Sequence, residues 1–161
     1  MNAPTRACTI RLLGPGDLEH VEALLTVFGE AFGEPETYGA ARPDAAYLRR
    51  LLARDSVIVF VALAEGAVVG GLVAYELPKI EQARSEIYLY DLAVAEPFRR
   101  QGIATALIEA LRTEAAARGA WVIFVQADYV DPPAIALYEK LGTREEVLHF
   151  DIPVPGPKRG P

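Results

Sequence analysis

The chain has 161 residues, of which 52% are apolar, and its 22 acidic and 16 basic side chains give a net charge of −6. Such a chain fits one domain with a substantial core, and its acidic balance disfavours nucleic acid and suits a cationic ligand, although solubility alone would also explain the charge. A single cysteine excludes an internal disulfide, and no Cys/His cluster has metal-ligand spacing. The apolar runs are too short to span a bilayer, and residues 1–9 carry no secretory signal. We therefore expect a cytoplasmic protein without metal, membrane or nucleic-acid partners.

The first half of the chain predicts a strand, two helices and a hairpin. Apolar residues recur at three- and four-residue spacing after Asp17, and Asp44 can cap a second helix. Two β-branched runs flank Glu65-Gly66, which is a hairpin signal. In chain order we expect a strand at 9–13, a helix at 18–32, a loop at 33–41, a helix at 45–53 and strands at 57–64 and 67–75.

The second half predicts strands alternating with helices. We expect a strand at 85–94, a charged turn at 97–102, a helix at 103–118, a strand at 121–127, a helix at 132–141 and a last strand at 146–152. Residues 153–161 hold four prolines and two glycines and predict a flexible tail, so order is expected over about 8–152 of a single domain, 1–161. The order predicts an α/β (α+β) fold with a mixed, mostly antiparallel sheet, one parallel strand pair and helices on both faces.

The strongest functional signal is the turn that opens the helix at 103. It reads Arg99-Arg100-Gln101-Gly102-Ile103-Ala104 directly after a β-rich strand. Gly102 permits close approach of a ligand, the first helical turn leaves N–H groups free, and the helix dipole and arginines add positive charge. The run predicts a pyrophosphate site, with an ordinary basic turn as the alternative. It is neither a Walker A motif nor a dinucleotide fingerprint.

The same run resembles the (Gln/Arg)-x-x-Gly-x-(Gly/Ala) motif of the GNAT acetyltransferase superfamily, in which backbone amides bind the pyrophosphate of CoA. The runs "YLYDLAV" and "AIALYEKLG" match its neighbouring motifs, and the order of elements agrees over about residues 9–152. Within the superfamily, "SEIYLYDLAV", "RRQGIATALI", "VQADYVDPPAIALYEKLG" and "REEVLHFDI" are similar to aminoglycoside 3-N-acetyltransferases of the gentamicin-modifying type. The chain departs from the superfamily pattern at Asp131-Pro132-Pro133, where an Asn is usual, and at Gly142-Thr143, where Gly-Phe is usual.

The resemblance implies a GNAT fold in which the parallel strand pair splays, acetyl-CoA as cosubstrate without a metal, and a homodimer. Pantetheine would pair with the end of the strand at 92–94, where a backbone N–H polarises the thioester carbonyl. The implied coenzyme-binding residues are Leu92, Ala93, Val94, Arg99, Arg100, Gln101, Gly102, Ile103, Ala104, Thr105, Ala134 and Tyr138.

Two residues are candidates for moving protons. Tyr138 matches the tyrosine of the family's "LYEKLG" segment, and its phenol is a suitable acid for the leaving thiolate, with a structural tyrosine as the alternative. Asp91 stands in an apolar strand, where an acid is costly without a role or a partner, and it could take the proton of the attacking ammonium. The alternative is a hydrogen-bonded structural aspartate. Strict alternation puts Asp91 on the face opposite Glu86, Tyr88 and Tyr90, whereas a bulge would turn it.

A polyamino sugar needs several carboxylates and flat apolar surfaces. The expected substrate-binding residues are Glu86, Tyr88, Tyr90, Asp128, Tyr129, Asp131 and Asp151, with Glu34, Glu36, Glu76 and Glu81 as a second wall. Each of these acids, taken alone, is more typical of a solvated surface charge.

These residues and the resemblance together predict transfer of the acetyl group of acetyl-CoA to an aminoglycoside, at the 3-amino group of deoxystreptamine, by direct attack without a covalent enzyme intermediate. Such an activity would confer antibiotic resistance. Three alternatives remain open: a GNAT enzyme for another amine such as a polyamine or protein amine, a CoA-binding module without catalysis, and a nucleotide-binding module. The last lacks a Mg²⁺-type Ser or Thr after Gly102.

Overall fold

The computed structural model describes residues 7–156, which divide into two compact units, 7–126 and 127–156. The first unit contains β1 (Cys8–Leu12), α1 (Leu18–Phe32), α2 (Pro35–Gly39), α3 (Ala45–Leu52), β2 (Val57–Ala64), β3 (Ala67–Pro78), β4 (Ser85–Val94), a 3₁₀ turn (Glu96–Phe98), α4 (Ile103–Ala117) and β5 (Ala120–Val125). The second contains α5 (Pro132–Leu141). The expectation of a single domain stays a prediction.

The first unit is built on one sheet with strand order β1-β2-β3-β4-β5. The first four strands are antiparallel to their neighbours, and β4 and β5 are parallel. Glu65 and Gly66, with φ of 51° and 82°, form the β2–β3 turn, since two residues at positive φ match the twist of a tight hairpin. The predicted hairpin and the mixed sheet with one parallel pair are therefore confirmed.

The helices cover both faces of this sheet, as predicted. Leu24 of α1 packs directly over Gly71 of β3, where an added Cβ would lie 2.6 Å from Leu24 Cδ1. Leu24 shares one buried cluster with Leu48 of α3 and with Val59 and Val61 of β2. The alternate residues of β2 point to the opposite face, where α4 contacts the sheet.

The segment 33–41 is not wholly a loop, because α2 lies within it. Pro35 occupies the start of this short helix, where its missing N–H costs nothing. The Tyr38 ring lies 6.0 Å from that of Phe28 and 5.6 Å from that of Phe32, so packing on α1 holds the turn. Five residues are too few to produce a helical period in the sequence.

The predicted last strand at 146–152 is wrong: residues 143–156 contain no strand. A strand needs a neighbour for its N–H and C=O groups, and this segment has no ladder partner among the described residues. Packing of its side chains does not hold the segment as a strand either, because Leu148 is 84% exposed and Phe150 is 77% exposed. Of the predicted flexible tail at 153–161, residues from 157 onward lie outside the described residues. Within 7–156, no helix is both long and apolar enough to cross a membrane.

Candidate active site

A bulge in β4 decides which way Asp91 points. The β3–β4 ladder pairs Tyr75 with Tyr88 and Ala74 with Leu89, and it then pairs Val73 with Asp91 and skips Tyr90. Paired residues share a face, and so do residues two apart in a strand, so Asp91 lies on the same face as Tyr88. The sequence left two orientations open, strict alternation or a bulge, and the extra residue selects the second.

Asp91 is half-buried on this face and has a phenol as its partner. The Tyr38 phenol lies within hydrogen-bonding reach of the Asp91 carboxylate. Burial raises the pKa of Asp91 above its ordinary value, and the hydrogen bond from Tyr38 lowers it in part. Burial, followed by the nearby Asp91 charge, raises the pKa of Tyr38 to about 12. At neutral pH, Tyr38 is therefore a hydrogen-bond donor and Asp91 is the group able to accept a proton.

Aromatic rings surround Asp91 on the sheet. The Tyr88 ring stacks on Phe124 of β5 at 4.7 Å between centroids, and Tyr90 meets Tyr88 edge-on at 5.4 Å and Tyr75 at 5.9 Å. The Tyr88 hydroxyl donates to Gln126 Oε1 at 2.7 Å. Burial first, and then the Asp91 charge, raise the pKa of Tyr75, so this phenol stays neutral. The face thus offers flat rings with polar edges around one carboxylate.

Two other predicted acids of this region are already engaged with cations. Glu86 lies 3.7 Å from Lys79 Nζ and accepts a hydrogen bond from Trp121 Nε1 at 3.3 Å. Glu76, expected in a second substrate wall, instead pairs with Arg118 at 2.9 Å and accepts from the Ser85 hydroxyl at 2.6 Å. Both carboxylates are therefore partly neutralised by the protein itself, unlike Asp91.

The end of β4 is open on one side. The parallel ladder with β5 ends at Leu89–Val125, so Asp91 to Val94 pair only with β3. Alternate N–H and C=O groups of Leu92, Ala93 and Val94 consequently face away from β3. The ladder stops at the last residue of β5, which leaves this side of Asp91 to Val94 without a strand partner among the described residues.

The predicted phosphate loop opens α4 as expected. Gly102 is the residue before the helix, with φ of 80°, and no side chain caps the first turn. An added Cβ at Gly102 would meet nothing within 4 Å, so the space beside the start of α4 is open, next to the free N–H groups of the first helical turn, Ile103 to Thr105. Ile103 is buried and Ala104 half-buried, whereas Thr105 is exposed. The geometry fits an anionic group held by backbone amides.

The polar side chains of this loop have different surroundings. Arg99 donates from Nε to the Val94 carbonyl at 2.9 Å and so ties the loop to the end of β4. Gln101 donates to the Pro97 carbonyl at 3.2 Å. Arg100 is exposed, with φ of 62°. Arg99 and Gln101 therefore shape the loop, and both arginines leave their charge exposed.

The remaining predicted residues lie in the second unit. Asp131 caps α5, where its Oδ1 accepts from the Ala134 N–H at 3.1 Å, and the Asp128 carbonyl accepts from the Asp131 N–H at 3.0 Å. Arg144 lies 5.8 Å from the ring centroid of Tyr129. His149 Nε2 lies 2.9 Å from Asp151 Oδ1.

Tyr138 lies on α5 and is half-buried. Burial, followed by the charge of Asp131, raises the pKa of Tyr138 to about 12. The phenol is therefore protonated at neutral pH and has a proton to give.

Sequence reasoning missed the contacts of Tyr38, Tyr75 and Phe124. Tyr75 is the cross-strand partner of Tyr88 and Phe124 its parallel partner. Strand sequences alone do not reveal register, so these pairs were not accessible beforehand. Among residues 7–156, no group of three His, Cys, Asp or Glu side chains is placed to hold a metal ion.

Comparison with known proteins gives one family. The model of the acetyltransferase (GNAT) family matches residues 21–143. A crystal structure of an aminoglycoside acetyltransferase from an uncultured soil metagenomic sample is 61% identical, covers 92% of this chain and 99% of its own, and superposes with a TM-score of 0.91. A second one, from an uncultured soil metagenomic sample and in complex with sisomicin, is 34% identical with a TM-score of 0.85, covering 92% of this chain and 97% of its own.

Among curated proteins, an N-alpha-acetyltransferase of Saccharolobus solfataricus is 36% identical over 97 residues. The match covers 53% of this chain and 56% of that relative, so the chain spans just over half the length of the curated protein.

Proposed function

The chain belongs to the acetyltransferase (GNAT) family, and from that premise we propose that it acetylates an amine of an aminoglycoside with acetyl-CoA. The observation that carries the proposal is the carboxylate of Asp91, turned by the β4 bulge into a face of tyrosine rings. A polyamino sugar presents ammonium groups to a carboxylate and flat C–H faces to aromatic rings. The likeness to an aminoglycoside acetyltransferase over 92% of the chain supports the same substrate class.

The GNAT family uses acetyl-CoA, which supplies an acetyl thioester. In this chain the backbone amides from Gly102 to Thr105 would hold the pyrophosphate, and Arg100 would add charge. The open side of Leu92 to Val94 would pair with the pantetheine arm, and one N–H there would polarise the thioester carbonyl.

Asp91 then has the role of the base. An alkyl ammonium has a pKa near 10, so the amine must lose a proton before it attacks. A half-buried carboxylate with a raised pKa is better matched to that task than an exposed one. We place the acetylated nitrogen at the 3-amino group of deoxystreptamine and expect direct attack without a covalent enzyme intermediate.

Tyr138 has the complementary role. Its phenol, protonated at neutral pH, would give a proton to the leaving thiolate. The support for this role is the residue type, its raised pKa and the motif around it. Resistance to aminoglycosides and a homodimeric assembly belong to the same proposal.

A second candidate is acetylation of a peptide N-terminus. The observation that favours it is the 36% identity to an N-alpha-acetyltransferase. An α-amino group has a pKa near 8, so it needs less help from a base than an alkyl amine does. If this chain acetylates a peptide N-terminus, Asp91→Asn should retain more activity at neutral pH than it would as an aminoglycoside acetyltransferase.

Thiol release from acetyl-CoA decides between the candidates when it is measured with sisomicin, spermidine and an alanine-initiated peptide as acceptors. We expect the highest kcat/KM with sisomicin, and NMR of the product should locate the acetyl group on the 3-amino nitrogen. Turnover confined to the peptide would replace the aminoglycoside proposal with the second candidate. Tight CoA binding without turnover on any amine would leave only a binding module.

A further inference from the structure

A glycine inside α1 brings α2 unusually close. Gly29 is buried in the helix, and an added Cβ would lie 3.3 Å from Tyr38 Cβ and 3.4 Å from Pro35 Cα. Glycine is unfavourable within a helix, so its place there needs a packing reason. The reason visible here is that α2 rests on the bare backbone of α1.

This close approach positions Tyr38. Its ring is held against Phe28 and Phe32 of α1 before it reaches the sheet. Its phenol then comes within hydrogen-bonding reach of the Asp91 carboxylate on β4. A rigid ring loses little freedom when it makes this bond, so the donor is in place before any substrate arrives.

We propose that Tyr38 is a positioning residue for Asp91: its phenol holds the carboxylate, turned by the β4 bulge, in one orientation on the aromatic face, and Gly29 allows α2 to carry it there. The inference rests on the proposed role of Asp91 as base. Tyr38 transfers no proton. It fixes the group that does.

The proposal has a consequence for pH dependence. A hydrogen bond to the charged form of an acid favours that form, so Tyr38 opposes the effect of burial on Asp91. The other ionisable groups around this pair are one acid and several tyrosines. They are Glu34 beside α2, Tyr47 of α3, Tyr75 of β3, and Tyr88 and Tyr90 of β4. Burial first, and then nearby charges that include Asp91, raise the pKa of Tyr75 and Tyr88, so these phenols are neutral where Asp91 titrates. From α1 the facing groups are the Phe28 and Phe32 rings. Without Tyr38, Asp91 would stay protonated to a higher pH.

The first test is the pH profile of kcat/KM for sisomicin in Tyr38→Phe. The acidic limb should move to higher pH, with kcat/KM about tenfold lower below the wild-type midpoint and a smaller change on the plateau. Tyr47→Phe, the same chemical change on α3, should leave the limb in place. A lower plateau with an unmoved limb in Tyr38→Phe would mean a merely structural tyrosine and would overturn the proposal.

A second readout does not depend on activity. In protein labelled with ¹³C-carboxyl aspartate, the Asp91 resonance is identified by its absence in Asp91→Asn. Its titration midpoint should be higher in Tyr38→Phe than in the wild type. An unchanged midpoint overturns the positioning role, whatever the turnover. A raised midpoint in a protein that acetylates no amine would preserve the Tyr38 contact and end the proposed function instead.

Gly29→Ala tests the packing part. The new methyl group should press on Tyr38 Cβ and move α2, so the limb should shift in the same direction as in Tyr38→Phe but by less. The double variant should shift no further than Tyr38→Phe alone, because both changes break one contact. Additive shifts would overturn the role given to Gly29.

Discussion

Two partly buried carboxylates on neighbouring strands of one sheet have opposite surroundings. Burial is the largest influence on the pKa of both Asp91 and Glu76, and it raises each. Hydrogen bonds from Ser85 and Arg118, together with the charge of Arg118, outweigh burial at Glu76 and lower its pKa. Asp91 has only the Tyr38 phenol to oppose burial, and its pKa stays raised.

The difference separates an acid that holds the fold from an acid available for chemistry. Glu76 joins β3 to Arg118 at the end of α4, and Arg118 also donates to Glu114 at 2.8 Å and to the Asp55 carbonyl. Its charge is compensated permanently. Asp91 faces phenols, which hydrogen-bond without adding positive charge, and under the proposed function a cationic substrate would supply the compensation.

The largest expected effect is on catalysis in Asp91→Asn. Loss of the base should lower kcat at neutral pH by about 10²- to 10⁴-fold, with partial recovery at high pH as the amine deprotonates by itself. The matched variant Glu76→Gln should retain kcat within a few-fold. Steady-state kinetics with sisomicin measures both. Equal losses in the two variants would break the comparison.

The next effect concerns the two ends of α4. Gly102 and Gly119 both have left-handed φ, at 80° and 74°, and both have open space around an added Cβ. Gly102→Glu should weaken acetyl-CoA binding at least about a hundredfold, because it puts bulk and negative charge in front of the amides. Gly119→Glu carries the same backbone strain and should bind normally. Calorimetry of acetyl-CoA binding distinguishes them, and equal affinity in the two variants would refute the phosphate loop.

A smaller effect is expected for Tyr138→Phe. Removal of the phenol should lower kcat about ten- to a hundredfold while the affinity for acetyl-CoA changes little, because the proton is needed only as the thiolate leaves. Turnover and acetyl-CoA affinity, measured on the same variant, distinguish a proton-donating role of Tyr138 from a packing role. A loss of affinity that accounts for the whole loss of turnover would argue for a packing role.

The smallest effect is on stability, and its sign differs between the two acids. The lowered pKa of Glu76 contributes stability above the ordinary glutamate pKa, and this is lost as pH falls through the folded-state value. The raised pKa of Asp91 contributes stability at low pH, which is lost as pH rises through the folded-state value.

At neutral pH, Glu76→Gln should therefore cost about 1–2 kcal/mol, with the cost shrinking in acid, whereas Asp91→Asn should be neutral or stabilising. Urea unfolding at several pH values measures the change in the free energy of unfolding for both variants and so gives the sign of each. A large loss of stability in Asp91→Asn at neutral pH would place Asp91 with Glu76 among structural acids.

The sequence predicted what depends on local patterns. The β2–β3 hairpin follows from two β-branched runs around Glu65-Gly66, and the helix after Gly102 follows from its apolar period and the stop at Gly119. Asp91 was chosen as an acid in an apolar strand, and its role as base stays a prediction. Each of these signals is contained within about 15 residues of chain.

What the sequence left open or got wrong depends on pairing and packing with other parts of the chain. The face of Asp91 is set by a bulge that appears only when β4 is paired with β3, and the close approach of α2 to Gly29 appears only in the packed structure. The segment 146–152 has the alternation of a strand, yet a strand forms only where a neighbour completes its hydrogen bonds. Pairing and packing of this kind leave no mark on a single stretch of sequence.

The most direct test of the account is the pH dependence of sisomicin acetylation by the wild type and by Asp91→Asn. We predict that the wild type loses kcat/KM on an acidic limb set by one group with a raised pKa, and that this limb is absent in the variant, whose slow rate follows only the deprotonation of the amine. A variant that acetylates sisomicin at the wild-type rate, with the same limb, would contradict the assignment of Asp91 as the base.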